Sequence, residues 1–249
     1  MSGGDDPIGV LAAGGAGLVA CEALARVMPK EDLVLMADTA YAPYARRPAR
    51  VVVDRVTRLA DELAGMGVKL VVVASAQGSM DALAAVRARL AVPVLGPERL
   101  VAEATARAGG RPAALITGAS CVRGLQYGRG LRRERGGAGL IWDAWPGLRE
   151  SVEAGRPVDP ALIAAHLEAL RGRGVAALVL ACPHAGAIAA DLRRAAPDMA
   201  VVDGSDVVAA RAKQVLLRAG LLARRKRPGR RIVLSSDPAA AQSVLAARR

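Results

Sequence analysis

Short apolar runs alternate with longer amphipathic segments from one end of the chain to the other. The runs are IGVLA (8–12), LVLMAD (33–38), KLVVVAS (69–75), VPVLG (92–96), AALIT (113–117), GLIWDA (139–144), ALVLAC (177–182), AVVDG (200–204) and RIVLSS (231–236). Each is too short for a helix, rich in Val, Ile or Leu, and bounded by Gly, Pro or charge. Strands buried on both faces of a parallel sheet read in this way. Between them lie helix patterns such as RPARVVVDRVTRLADELAGMG (47–67) and PALIAAHLEALRGRG (160–174), the second ending on glycine stop signals. Repeated strand–helix alternation predicts an α/β protein with mainly parallel sheets and flanking helices.

The chain also echoes itself. GVKLVVVASAQGS (67–79) and GVAALVLACPHAG (174–186) share a Gly-Val start, an apolar strand and a small-residue turn into a helix, 107 residues apart. The echo predicts two similar α/β lobes. Ligands of open α/β sheets bind beyond the carboxyl ends of strands, so Ser75 and Cys182 take equivalent positions and a ligand cleft between the lobes is expected. Glycines 14, 15 and 17 follow the first strand, but their spacing is neither G-x-G-x-x-G nor a P-loop, and dinucleotide binding is not indicated.

Composition narrows the setting. Hydrophobic residues make up 53% of the 249 residues, enough for a sizeable core, and no window approaches the ~18 apolar residues of a membrane span. MSGGDDPIGV has no signal-peptide pattern, and three widely spaced cysteines make no disulfide framework; a cytoplasmic protein is expected. The net charge is +12, mostly arginine scattered over helical faces. One dense cluster, ARRKRPGRR (223–231), lacks interleaved aromatics for base stacking, so nucleic acid is not the expected partner.

Candidate chemistry centres on LACPHAG, where Cys182 and His184 stand two apart in a chain with only two histidines. Two ligands in C-x-H spacing do not make a metal site, and no metal is expected. A reactive or ligand-facing thiol and a thiol that fills the core both remain open. His166, inside an amphipathic helix, reads as structural or surface, and Cys21 and Cys121 read as packing. Asp237 is a candidate N-cap with Pro238 at the first helical position.

Motif by motif, the chain resembles the aspartate/glutamate racemase superfamily, and the glutamate racemases most of all. IGVLAAGGAGL stands where that family has IGVFDSGxGGL, ADTAYAPY matches GDTxxxPYG, and GVKLVVVASAQGS matches GxxxxVIACNTAS. VPVLG, ITGASCVRGLQY, ESVEAG, LVLACPHAG, VVDGSDVVA and SSDPAAAQSV then match IPVxG, ATxxTxxSxxY, LVExG, LxLGCTHYP, VDSGxxxA and TGDPxxF, in order over nearly the whole chain. The resemblance implies a cofactor-independent amino-acid isomerase that supplies D-glutamate to peptidoglycan, with a small carboxylate or amino acid as ligand; relatives are often homodimers. We divide the chain into lobe 1 (1–96 plus 206–249) and lobe 2 (97–205).

In this family two cysteines act on opposite faces of the α-carbon, since moving an unactivated proton across it needs two bases. The second face is intact by resemblance: Cys182 falls on the second catalytic cysteine, His184 on its assisting histidine and Glu153 on the carboxylate beside that histidine. The first face departs. Ser75 replaces the first cysteine, Ala76 and Gln77 replace its Asn and Thr neighbours, and Ala12 and Ala13 replace the Asp and Ser of DSG. Pro183 stands where a substrate-binding threonine follows the second cysteine. Asp38, Pro43 and Tyr44 match a pocket-lining loop and read equally well as turn chemistry. Three readings follow: a racemase homologue with weak or lost activity, a single-cysteine decarboxylase of malonate-type acids, or a non-catalytic carboxylate-binding or regulatory protein, for which the basic stretch 223–231 would serve a partner.

Overall fold

The computed structural model describes residues 3–97, 100–118, 140–237 and 239. The chain divides into two compact units, Met1–Pro97 with Ser205–Arg249 (lobe 1) and Glu98–Gly204 (lobe 2). Lobe 1 runs β1 (Ile8–Ala12), α1 (Gly17–Val27), β2 (Leu33–Ala37), α2 (Ala49–Gly65), β3 (Leu70–Val73), α3 (Ala76–Arg89) and β4 (Val94–Leu95). Lobe 2 follows with α4 (Leu100–Ala108), β5 (Ala113–Gly118), β6 (Leu140–Trp145), α5 (Leu148–Glu153), α6 (Pro160–Arg171), β7 (Ala177–Leu180), α7 (Pro183–Gly186), α8 (Ala189–Ala195) and β8 (Ala200–Asp203). The chain then returns to lobe 1 through α9 (Gly204–Arg218) and β9 (Arg231–Ser235). Both sheets are parallel, ordered β4-β3-β1-β2-β9 and β6-β5-β7-β8. Cys121 and most of ITGASCVRGLQY and SSDPAAAQSV lie outside the described residues.

Every residue of β1, β2 and β3 is buried, as their unbroken apolar runs predict for strands covered on both faces. Side chains alternate between two cores. Ile8, Val10 and Ala12 join Cys21 and Leu24 of α1 and Ala212 and Leu216 of α9, while Leu11 joins Val56, Leu59 and Leu63 of α2 and Leu83 and Val86 of α3. Each buried Leu or Val side chain contributes about 1.5–3 kcal/mol by leaving water. Gly17 is explained by the same packing. A Cβ there would lie 2.6 Å from Ala12 Cβ and 2.7 Å from Leu35 Cδ1, so glycine lets the first turn of α1 rest directly on the sheet.

Two polar devices fasten the amino ends of the lobe 1 strands. Lys69 is fully buried, and its Nζ donates to Glu31 Oε2 (2.5 Å) and to the carbonyls of Gly4 (2.5 Å) and Leu221 (2.9 Å). All three ammonium hydrogens are thereby used. Losing either ion would strand the other's charge, a cost of about 3–5 kcal/mol. The basic stretch supplies the second device. Arg227 donates through both Nη atoms to Asp32 (3.0 and 2.9 Å), Arg225 binds the same carboxylate, and the Arg230 N–H donates to it at 2.6 Å. The Arg227 hydrogen bonds lead in holding Asp32 well below the usual carboxylate range, against a smaller burial effect. Part of ARRKRPGRR therefore staples β9 to the start of β2, and Arg225 and Arg227 are not available to a partner in the way a free tail would be. Among the described residues no helix is long and apolar enough to cross a membrane.

Candidate active site

In lobe 1 the predicted residues gather at the carboxyl ends of the strands. Ala12 ends β1, and its carbonyl accepts from the Asp38 N–H at 2.8 Å. Asp38 is fully buried, with both carboxylate oxygens engaged: Tyr44 Oη donates at 2.8 Å, and Arg55 from α2 donates through Nε and Nη2 at 2.8–3.0 Å. Burial and the Asp38 charge push the Tyr44 phenol well above its ordinary value, so it stays a donor. Pro43 follows a cis peptide bond. Arg55 also lies over the Tyr41 ring, 4.5 Å from its centroid. These contacts tie Asp38 and Tyr44 into the loop that follows β2 and fasten that loop to α2.

Ser75 is buried just beyond β3, and its Oγ accepts the Gly78 N–H at 3.1 Å as the N-cap of α3. Ala76 opens the helix, Gln77 Nε2 donates to Asp81 Oδ2 at 2.7 Å, and Ser79 Oγ donates to the Val73 carbonyl at 2.9 Å. The half-buried Ala13 packs against the sheet core.

Lobe 2 is built differently. Cys182 lies two residues past β7 and is 7% exposed, as the N-cap of the short helix α7, whose first residue is Pro183. Proline suits that position because its missing N–H would have had no helical partner. His184 follows in α7, and its Nε2 lies 2.7 Å from Glu153 Oε1 at the end of α5. Cys182, His184 and Glu153 are therefore brought together, 31 residues separating the last two in sequence. Thr117, buried at the end of the neighbouring strand β5, completes the surroundings of the thiol.

The electrostatics of this group are coupled. Burial alone would raise the Cys182 thiol, but the hydrogen bond and charge of His184, then the Ala185 N–H and the Thr117 hydroxyl, bring it below its ordinary value of 9.0. Burial alone would lower His184, but its hydrogen bonds to Cys182 and Glu153 carry it from 6.5 up to about 9. Each shift favours the charged form of its group, a thiolate beside an imidazolium that a carboxylate orients. The histidine contribution to stability is complete below pH 6.5 and lost as pH rises through about 9. The cysteine contribution is present above 9.0 and lost as pH falls through its lowered value. The pair thus persists from that lowered value up to about pH 9. Alkylation of Cys182 by iodoacetamide, followed by peptide mass spectrometry, is expected to rise with a midpoint below the ordinary thiol value of 9.0. A midpoint at or above that value would contradict the ion pair.

No protein-family model matches the chain. It is 32% identical to the glutamate racemase of Methylococcus capsulatus over 96% of this chain and 90% of that protein. The chain belongs to the glutamate racemase family. The glutamate racemase of Deinococcus radiodurans is 33% identical over 96% of this chain and 85% of its own length. Among solved structures, the glutamate racemase of Thermus thermophilus in complex with β-chloro-D-alanine superposes with a TM-score of 0.81 at 29% identity, covering 99% of this chain and 94% of that one. The Bacillus anthracis enzyme has a TM-score of 0.81 at 22% identity, covering 96% and 91%, and shares the fold. Both parallel-sheet lobes thus follow the architecture of this family.

Thr117 and Arg55 also belong to these two groups. Thr117 closes the AALIT run, and the carboxyl end of a strand next to β7 is where a ligand-side group was to be sought. Arg55 carried no such signal, being one of several arginines on an amphipathic helix.

Proposed function

We propose that this glutamate racemase homologue keeps one working face of a two-base amino-acid isomerase and has lost the other. The observation that carries this reading is the contrast between two strand ends. Cys182 is tied to His184 and Glu153, whereas the Ser75 hydroxyl spends its acceptor on the α3 cap. The Cys182 thiolate takes the α-proton of a bound amino acid, becoming a thiol, while the adjacent imidazolium offers positive charge to the carbanion that forms. Without a second acid, the proton or its solvent replacement returns to the face it left.

The substrate class comes from the relatives. The Francisella tularensis glutamate racemase structure is a complex with D-glutamate, and a small α-amino acid carrying a second carboxylate is the ligand we infer here. Ser75 and its neighbours then bind rather than catalyse. In deuterated water, one enantiomer of glutamate or aspartate is expected to lose its α-proton NMR signal while its configuration is kept. Exchange of both enantiomers with inversion would refute the one-face reading, and exchange of neither would refute a working Cys182.

A further inference from the structure

A second side-chain cluster in lobe 2 lies outside the group just described. On β6, Asp143 and Trp145 stand two residues apart and so share a face of the strand. Trp145 is fully buried, and its Nε1 donates to Asp143 Oδ2 at 2.7 Å. His166 of α6 completes the cluster. Its Nδ1 lies 3.1 Å from both Asp143 oxygens, and its ring stacks on Trp145 at 4.5 Å between centroids and 25° between planes. Carboxylate oxygens accept, so Nδ1 is the donating nitrogen.

We propose that His166 and Asp143, with Trp145, are positioning residues that hold Glu153 on the His184 ring. The path is short and stiff. β6 ends at Trp145; Pro146 and Gly147 turn the chain, with Gly147 at φ +76°; then α5 begins on the fully buried Leu148 and ends on Glu153. Left-handed backbone at Gly147 favours glycine and fixes the angle between strand and helix. Any displacement of the strand end is therefore passed along a single six-residue helix to the carboxylate that meets Nε2.

β6 needs such a fastening because it is the edge strand of its sheet, paired only with β5 among the described residues. A ladder on one side leaves the strand end free to swing, and His166 supplies the second attachment from α6. The helix itself is seated by Ile163, Leu167 and Leu170, all buried. Stacking resists movement along the ring normal, and the carboxylate bond resists rotation within the plane, so both contacts are needed for a fixed Glu153.

The inference rests on the reading that Cys182, His184 and Glu153 act as one unit, and the test separates the two. The pH profile of Cys182 alkylation is measured on the full chain for wild type, His166→Ala, Glu153→Gln and Arg171→Ala. Arg171 is on the same helix but pairs with Asp198, so its variant controls for general loosening of α6. His166→Ala is expected to raise the midpoint in the direction of Glu153→Gln, by about 0.5–1 unit, which is about threefold to tenfold less thiolate near neutral pH. Arg171→Ala is expected to leave it in place, and His166→Ala added to Glu153→Gln is expected to shift it no further. Should His166→Ala not fold, His166→Phe keeps the ring on Trp145, removes the Asp143 bond and is expected to shift the midpoint the same way. A folded His166 variant with the wild-type midpoint overturns the positioning role alone. A wild-type midpoint at the ordinary thiol value overturns the Cys182 unit and the positioning role with it.

Discussion

Cys182→Ala is expected to abolish α-proton exchange from glutamate or aspartate in deuterated water, a loss of about 10²–10⁴-fold that takes the rate to background. The physical reason is that the only thiol placed beside an imidazolium among the described residues is removed, while His184 and Glu153 keep their 2.7 Å contact. Cys182→Ser should do nearly as badly. A hydroxyl is far less acidic than a thiol, and His184 cannot hold it as an anion near neutral pH. Cys21→Ala is the matched control, since Cys21 is buried in the lobe 1 core and has no part in the proposed chemistry. Retained exchange in Cys182→Ala, measured by loss of the α-proton NMR signal, would move the chemistry to another residue.

The largest gain is expected from Ser75→Cys combined with Ala12→Asp. The pair restores the thiol and the carboxylate that the family resemblance assigns to the first face. Net inversion of glutamate, followed by circular dichroism, should rise by about 10²-fold or more over wild type. The substitution has a structural cost. Ser75 Oγ accepts the Gly78 N–H as the α3 cap, and sulfur accepts poorly, so a loss of about 1 kcal/mol in stability is expected. Crowding is the second constraint, because Ala12 lies against the first turn of α1 at Gly17. Unchanged exchange with no inversion in this double variant would mean that the first face lacks more than its base.

Much of the fold was legible because parallel strands buried on both faces cannot hide: IGVLA is β1 residue for residue, and LVLMAD contains β2. VPVLG kept only Val94 and Leu95 as strand, since Pro93 has no N–H to give a ladder and contributes only its carbonyl to Val71. On the site, Glu153 and His184 could be paired only through family resemblance; no local pattern joins residues on different helices. His166 read as structural or surface, and it is half-buried on Asp143 across a separation of 23 residues. Asp38 could be either pocket or turn in sequence. Its Arg55 partner is a tertiary contact with no periodicity to announce it. The anchoring role of the basic stretch has no local signature because Asp32, its main counter-charge, lies almost 200 residues earlier in the chain.

The most direct measurement of the central claim is the optical rotation of L- and D-glutamate over time with the wild-type protein, read beside deuterium incorporation in the same samples. The one-face account predicts deuterium entering one enantiomer with its rotation unchanged. Decay of both rotations to zero, with deuterium in the product, would show two working faces and contradict it.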